Sequence, residues 1–267
     1  MKPTAKPKMQ TLSEFLGGKN LPSALNLPWV HSTSATNLFK IIEDEKLLAL
    51  NCNVFKGEKL CYLFMGRPAY KLKPNENPSD WQLPVVFVVR FSKPPPLKRV
   101  FPFDSGAFRN RLLPDYISAF GIDGFNLAGD PNLVGRLVSF YFKTPSRYVA
   151  RKAVGDDELK EDHSLDMRHA QILALGRLYR EGSTSNLDDR AAAIEVQLAD
   201  DVKLAADNLL GVVVPSEYLR TPGVKQSLKQ LTKYVESYDH FPLGMNEHYG
   251  LIYNCVNQIY KKAGVKI

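Results

Sequence analysis

Short apolar runs alternate with segments of helical periodicity along this chain, and the alternation predicts most of its elements. The most distinctive run covers residues 85–91, where β-branched residues follow one another with little polar interruption. Such a run is typical of a central strand that is covered on both faces. The prolines from Pro94 to Pro96 end it. Shorter apolar runs predict four further strands, at residues 27–31, 59–64, 192–198 and 209–214.

Helices are predicted where apolar residues recur every three or four positions. This spacing marks a helix after Ser34 or Thr36, either of which suits its N-cap, and a longer helix over 165–180. The other helical segments are a single turn over 13–16 and two C-terminal helices over 224–238 and 251–259. Residues 136–142 fit either a strand or a buried helical turn, and the pattern leaves both open. This mixture of elements predicts an α+β fold.

Composition limits the class of protein. The chain has 267 residues, of which 44% are hydrophobic and 24% charged, as in globular proteins. No apolar run reaches the roughly 18 residues of a membrane span, and the basic N-terminus lacks the apolar core of a signal peptide. Three cysteines without CxxC spacing argue against a disulfide framework or a zinc site. We therefore expect a cytoplasmic protein without metal or membrane partner, with a flexible basic tail over 1–11 and a single domain over 12–267.

The net charge of +7 conceals an asymmetry. Residues 1–152 carry a net +11 and residues 153–267 a net −4, and the stretch 90–152 alone carries +7. A positive half suits a polyanionic partner, either nucleic acid or a phosphate-bearing cofactor. It also fits an ordinary solvated basic face, and charge alone does not decide between these interpretations.

Several polar residues stand at the ends or in the middle of predicted strands. His31 ends the first strand, and Tyr62 and Tyr70 flank the turn that holds Arg67. Glu195 lies among apolar neighbours, on the same strand face as Gln197; it either faces water or needs a buried partner. Each of these residue types is more often structural than functional. Signatures for a P-loop, a Rossmann dinucleotide site, HExxH zinc binding and a GxSxG nucleophile are absent from the sequence.

The order of His31, Tyr62 and Glu195 along the chain resembles that of the NAD-dependent ADP-ribosyltransferases. The resemblance is to the His-Tyr-Glu type in particular, which includes diphtheria-toxin-like and PARP-like enzymes. His31 with Ser32-Thr33-Ser34, followed by Asn37-Leu38 and Ile41, resembles the family's first block. The spacing of this block is also similar to that of DarT-type toxins, which modify nucleic acid. The strand with Tyr62 and the downstream Tyr70 look like the second block, and the strand with Glu195 looks like the third.

The resemblance implies an α+β fold with a split mixed or antiparallel sheet, flanking helices and C-terminal helical additions. It also implies that Glu195, His31 and Tyr62 are the catalytic residues. Cleavage of the nicotinamide–ribose bond develops positive charge on the ribose, which a carboxylate stabilises. Glu217, after the strand at 209–214, is the rival carboxylate. Residues 93–189 have no counterpart in the family and are expected to form an insertion.

The substrate NAD⁺ is expected to contact a further set of residues. His31 would bind the adenosine ribose, the Ser32–Thr33 segment the carboxamide, and Tyr70, with Tyr62, would stack on nicotinamide. Arg67 would pair with the pyrophosphate or with the acceptor. The basic stretch favours a nucleic-acid acceptor, RNA or DNA, that is bound by Lys98, Arg99, Arg109 and Arg111.

These implications predict an enzyme that transfers ADP-ribose from NAD⁺, used as a substrate, to a macromolecule. A transferase of this kind fits a bacterial toxin, paired with an antitoxin protein, or a phage-defence effector. A protein side chain is the second acceptor class. The alternative from a different class is a basic module that binds nucleic acid without catalysis.

Overall fold

The structure is a computed structural model, and it describes residues 8–70, 78–181, 189–241 and 245–267, with side chains from 248 onward in the last range. Residues 1–7 of the predicted basic tail and residues 182–188, which include Gly182, lie outside the described residues. The chain alternates strands and helices, so the predicted α+β class is confirmed. None of the helices in the described ranges is both long and apolar enough to cross a membrane.

Ten strands occur in the described part of the chain. They are β1 (Trp29–Ser34), β2 (Lys46–Leu47), β3 (Leu50–Asn51), β4 (Lys59–Met65), β5 (Pro84–Val89), β6 (Arg99–Phe101), β7 (Glu195–Leu198), β8 (Val202–Lys203), β9 (Leu209–Pro215) and β10 (Tyr234–Tyr238). The main sheet has the order β10-β9-β5-β1-β4-β7-β6, and β3 pairs with β4 beside it. β2 and β8 form a separate small sheet. All pairings are antiparallel except that of β10 with β9, so the sheet is mixed, as expected.

The main sheet is joined at its centre by a very short pairing. β1 pairs with β5 along its whole length, from Trp29 to Ser34. On its other side it pairs with β4 only through Trp29 and Val30. β4 then continues its own pairing with β7 up to Cys61. The sheet therefore consists of two halves, β10-β9-β5-β1 and β4-β7-β6, that separate after Val30. We call this junction the seam.

Helices cover both faces of the sheet. They are α1 (Leu12–Gly17), α2 (Leu38–Asp44), α3 (Ser105–Arg109), α4 (Asp115–Ser118), α5 (Pro131–Phe142), α6 (Pro145–Val149), α7 (Asp156–His163), α8 (Ala170–Glu181), α9 (Ser216–Arg220), α10 (Val224–Leu231) and α11 (Met245–Lys262). The large core lies on the face that includes Phe87, together with α1, α5 and α8. On the other face, α11 packs on Val30, Val86 and Val88. Every residue of β5 is buried, which confirms the doubly covered strand.

Several predicted elements differ in extent. β1 continues through the Ser32–Ser34 segment because these residues pair with β5. Residues 136–142, for which the sequence left a strand and a helical turn open, are helical and lie in α5. The helix expected over 165–180 begins at Ala170, after a short 3₁₀ turn. Thr11, which the sequence analysis placed at the end of the basic tail, caps α1 with its side chain.

One larger correction concerns the C-terminal third, and the structure also shows what the region 93–189 contributes to the fold. The helix predicted over 224–238 ends at Leu231, and Tyr234–Tyr238 form β10 instead. The parallel pairing of β10 with β9 supplies the backbone hydrogen bonds that make this segment a strand. The region 93–189, expected as an insertion, contributes the edge strand β6 to the main sheet and most of the helices in the large core.

Candidate active site

The seam is closed by a side chain. Beyond Val30, where the ladder to β4 ends, the Nδ1 of His31 lies 2.8 Å from the main-chain oxygen of Tyr62. A carbonyl oxygen only accepts hydrogen bonds, so Nδ1 carries the proton and donates. Burial lowers the pKa of His31, which keeps the imidazole neutral. Its Nε2 is therefore a hydrogen-bond acceptor beside the seam.

The segment after His31 continues β1 beside the seam. Thr33 accepts a hydrogen bond from the Asn37 side chain at 2.8 Å, and Ser34 donates to the main-chain oxygen of Trp81 at 2.9 Å. Among the described residues, the Oγ of Ser32 is buried without a hydrogen-bond partner. A buried hydroxyl without a partner is costly, and a bound ligand is one way to satisfy it.

Tyr62 lies on β4, across the seam from β1. Its hydroxyl lies 2.7 Å from the Sγ of Cys52, which itself accepts the main-chain N–H groups of Val54 and Phe55. Burial, then the hydrogen bond with Cys52 and the charge of Glu195, raise the pKa of the Tyr62 phenol. The phenol therefore stays protonated, and it is close enough to Glu195 to sense its charge.

Tyr70 has partners on β1 and on the C-terminal helix. Burial raises the pKa of its phenol, against the opposing effects of a side-chain hydrogen bond with Ser34 and of the positive charge of Arg190. Its main-chain oxygen accepts a hydrogen bond from Tyr249 of α11. The half-buried Tyr70 thus meets β1 and the segment before β7 through its phenol, and the C-terminal helix through its main chain.

Glu195 begins β7 and is only 1% exposed, so the interpretation in which it faces water is wrong. Its carboxylate accepts the main-chain N–H of Ser105 at 3.0 Å and the side-chain amide of Gln197 at 2.6 Å. The strand pairing places Glu195 opposite Phe64 of β4 and Gln197 opposite Tyr62. The polar face shared by Glu195 and Gln197 is therefore the face that carries Tyr62.

A second carboxylate lies beside Glu195. Burial raises the pKa of Glu195 to about 8, and the negative charge of Asp104 adds to the rise. Asp104 caps α3 through the N–H of Ala107 and lies 3.5 Å from the guanidinium of Arg190. Glu195 is thus buried and hydrogen-bonded, and its pKa of about 8 lies close to neutral pH. Such shifts are frequent at catalytic positions.

The structure does not place Arg67 where the sequence analysis expected it. Its side chain is completely buried and forms an ion pair with Asp189. It also donates to the main-chain oxygen of Ala192 at 2.8 Å and to the hydroxyl of Tyr253 at 3.1 Å. With its donors engaged in this way, the guanidinium is not available to a pyrophosphate, and Arg67 is a structural residue.

The four basic residues expected at the acceptor site divide into two pairs. Arg99 forms an ion pair with Glu58, donates to Gln197 at 2.9 Å and stacks 3.9 Å over the ring of Phe55. Lys98 lies 3.6 Å from Glu58. The two cations therefore share one carboxylate; Arg99 is half-buried, whereas Lys98 is exposed. Arg109 and Arg111 are exposed, and no acidic partner lies within ion-pair distance of either among the described residues.

Sequence reasoning missed part of the site. Asp104 and Ser105 lie in the unplaced region 93–189 and reach Glu195 only through the pairing of β6 with β7. Cys52 gives no signal in the sequence, since its contact with Tyr62 depends on the turn before β4. Glu217, the rival carboxylate, lies in α9 and is paired with Arg220 at 2.5 Å on the surface. No protein-family model and no curated protein matches the sequence significantly.

Proposed function

We propose that this protein transfers ADP-ribose from NAD⁺ to a macromolecular acceptor, preferably nucleic acid. One observation carries the proposal: Glu195, a buried carboxyl with a raised pKa, shares the face of Tyr62 beside the seam that His31 closes. The order of the three residues along the chain agrees with the resemblance drawn from the sequence. A structural ion pair would explain the burial of a glutamate, but Glu195 is bound to an amide and an N–H and lies beside another acid.

The residues at the seam fit NAD⁺ in the following way. The neutral imidazole of His31 offers Nε2 as an acceptor for a ribose hydroxyl. The unpaired Oγ of Ser32, with the backbone of Thr33, suits a carboxamide, which both donates and accepts. Tyr70 and Tyr62 supply ring faces for the nicotinamide. Arg67 takes no part in this proposal because its donors are engaged inside the protein.

The proposed reaction uses Glu195 in its ionised form. Its carboxylate holds the 2′-hydroxyl of the nicotinamide ribose and stabilises the positive charge that develops there. The bond between C1′ and the nicotinamide nitrogen breaks, and its electron pair leaves with neutral nicotinamide. A nucleophile of the acceptor forms the new bond to C1′, and its proton passes to the carboxylate or to solvent. The dry surroundings strengthen the charge stabilisation.

The biological setting follows from the chemistry. Irreversible modification of a cell's own nucleic acid is harmful to that cell, so we propose a toxin or phage-defence effector that acts in the cytoplasm under the control of an antitoxin protein. An acceptor on a protein side chain is the second choice. A basic module without catalysis is the remaining alternative, and it binds nucleic acid without consuming NAD⁺.

The test is incubation with NAD⁺ labelled in its adenylate part, with RNA, DNA and total protein offered separately. We expect label in a nucleic-acid pool and a loss of at least about 100-fold in Glu195→Gln, which keeps the shape and removes the charge. Glu217→Gln is the matched control, because that carboxylate lies on the surface, and it should transfer at the wild-type rate. Transfer that survives in Glu195→Gln would refute the mechanism.

A further inference from the structure

A separate cavity of about 250 Å³ lies between the turn before β4 and the helices that follow β6. We call it the Phe108 cavity. Its lining consists of Val54, Phe55, Phe108, Arg109, Arg111, Ser118 and Ile122. Two aromatic rings and two arginines thus surround one space. The Oγ of Ser118 is buried and has no hydrogen-bond partner among the described residues.

Both walls of this cavity are attached to the candidate active site. The wall with Val54 and Phe55 is held by Cys52, whose sulfur accepts both of their N–H groups and contacts the Tyr62 hydroxyl. The wall with Phe108 and Arg109 belongs to α3, whose first residue, Ser105, donates its N–H to Glu195. The short helix α3 therefore separates the cavity from Glu195, beside which the acceptor would react with the ribose.

The chemistry of the lining selects a particular kind of group. The ring of Phe55 is already covered by Arg99 and Phe101. Phe108 is therefore the ring that would stack on a planar heterocycle. Exposed arginines without acidic partners bind phosphate. The unpaired Ser118 hydroxyl suits the polar edge of a base, since a hydroxyl both donates and accepts. A nucleotide unit, with a planar base and an attached phosphate, combines these requirements.

The volume of the Phe108 cavity suits part of an acceptor strand rather than a whole NAD⁺ molecule. Pockets that bury a whole drug-sized ligand have volumes of roughly 300–1,000 Å³, and this cavity is smaller. It has room for one ring system rather than for a dinucleotide. None of the residues that would contact NAD⁺ in the proposed function lines this cavity.

We propose that the Phe108 cavity binds one unpaired base of a single-stranded nucleic acid, with Arg109 and Arg111 on the adjoining phosphates. The proposal rests on the proposed function, because it assigns the acceptor subsite of that transferase. An unpaired base is required, since a base within a duplex cannot enter a cavity of this kind. The cavity would hold the strand so that a neighbouring group reaches the ribose beside Glu195.

The probes are fluorescein-labelled 12-mers of single-stranded RNA and DNA, the matching duplexes, and a single strand of the same length made of abasic sites. Binding is measured by anisotropy at several salt concentrations. We expect the single strands to bind more tightly than the duplexes. The difference between the RNA and DNA arms identifies the preferred strand.

Two variants remove the stacking interaction in different ways. Phe108→Leu takes away the ring, and Ser118→Leu fills the cavity from a position whose hydroxyl has no partner to lose. Each should weaken binding of the single strands by roughly 5-fold to 100-fold. Neither should change binding of the abasic strand, which has no base to stack. Ser118→Leu keeps the test valid if Phe108→Leu, which loses its stacking on Phe103, fails to fold.

A third variant addresses the phosphate contact. Arg111→Gln should weaken all strands, the abasic one included, and reduce the slope of log affinity against log salt by about one. Lys225→Gln is the matched control, an exposed cation on α10 that lies outside the cavity. It should leave the affinity and the slope unchanged.

NAD⁺ affinity, measured without acceptor, and label transfer together separate the two proposals. Cavity variants that lose strand binding but keep the wild-type affinity for NAD⁺ support the acceptor subsite. Variants that bind the strands as tightly as the wild type overturn it, even if the enzyme transfers ADP-ribose. Weakened NAD⁺ binding in Ser118→Leu also overturns it, because the cavity would then hold the adenine of NAD⁺. If the wild type transfers no label to any pool, but the cavity variants bind the strands more weakly than the wild type does, the base site stands and the proposed function fails.

Discussion

The imidazole of His31 donates a hydrogen bond to the main-chain oxygen of Tyr62 at 2.8 Å, just beyond the point where β1 and β4 cease to pair. One ring nitrogen therefore supports the fold, and the other is left for a ligand. His31→Asn separates these two functions, because the amide of asparagine occupies the place of Nδ1 and nothing replaces Nε2. We expect a normal melting temperature. The KM for NAD⁺ should be about tenfold higher, because the loss of one hydrogen bond weakens binding by about 1.4 kcal/mol.

His31→Ala is the companion variant for this experiment. It removes both nitrogens and should lower the free energy of unfolding by about 1 kcal/mol as well, because the Tyr62 oxygen loses its donor. Thermal melts and initial rates at varied NAD⁺ measure the two effects. An unchanged KM in His31→Asn would show that Nε2 does not bind the substrate.

The pH dependence of activity follows from the state of Glu195. Its pKa is raised to about 8, and the proposed reaction requires the carboxylate, so kcat/KM should rise with pH through about 8. Asp104→Asn removes the neighbouring charge and keeps a residue that can cap α3. The midpoint should move to lower pH but stay above that of a free glutamate, because burial is the larger cause. A profile that is flat between pH 6 and 9 would contradict this assignment.

Stability should depend on pH in the opposite sense. The folded protein holds the Glu195 proton more tightly than the unfolded chain does, so this stabilisation is complete below the unfolded pKa near 4.5. It is lost between that value and about 8, at about 1.4 kcal/mol per pH unit. Glu195→Gln cannot ionise, so it should melt above the wild type at pH 9 and close to it at pH 5. Equal melting temperatures at pH 9 would mean that the folded state does not penalise the charge.

Substitution of Arg67 tests whether this residue stabilises the fold or binds the pyrophosphate of NAD⁺. Arg67→Lys keeps the charge but cannot reproduce the planar set of donors to Asp189, Ala192 and Tyr253. We expect a loss of about 3 kcal/mol or more in the free energy of unfolding, since a buried ion pair is disrupted. KM for NAD⁺, measured below the melting transition, should stay the same.

The control for Arg67→Lys is Arg177→Lys, on the surface of α8. Arg177 pairs with Glu181 at 2.7 Å and is largely exposed, so its replacement should change stability by less than about 1 kcal/mol. A normal melting temperature together with a raised KM in Arg67→Lys would restore the pyrophosphate role that the sequence suggested.

The sequence predicted those elements whose periodicity is unambiguous. The apolar run of β5 and the helical spacing in α11 required no tertiary information. β10 was predicted wrongly because Val235 and Tyr238 also fit a helical spacing, and only the pairing with β9 decides the matter. For the site, alternation along β7 correctly grouped Glu195 with Gln197. The burial of Glu195 depends on Ser105, which is 90 residues away in sequence.

The cluster of Arg67, Asp189 and Tyr253 also constrains the order of events during synthesis. Tyr253 lies 186 residues after Arg67, and its hydroxyl contacts both partners of the ion pair. The neighbouring Tyr249 hydroxyl holds the main chain of Tyr70. A nascent chain that has not yet reached α11 therefore cannot fix the segment between β4 and Tyr70. The contacts that hold this segment are therefore complete only after α11 has been made.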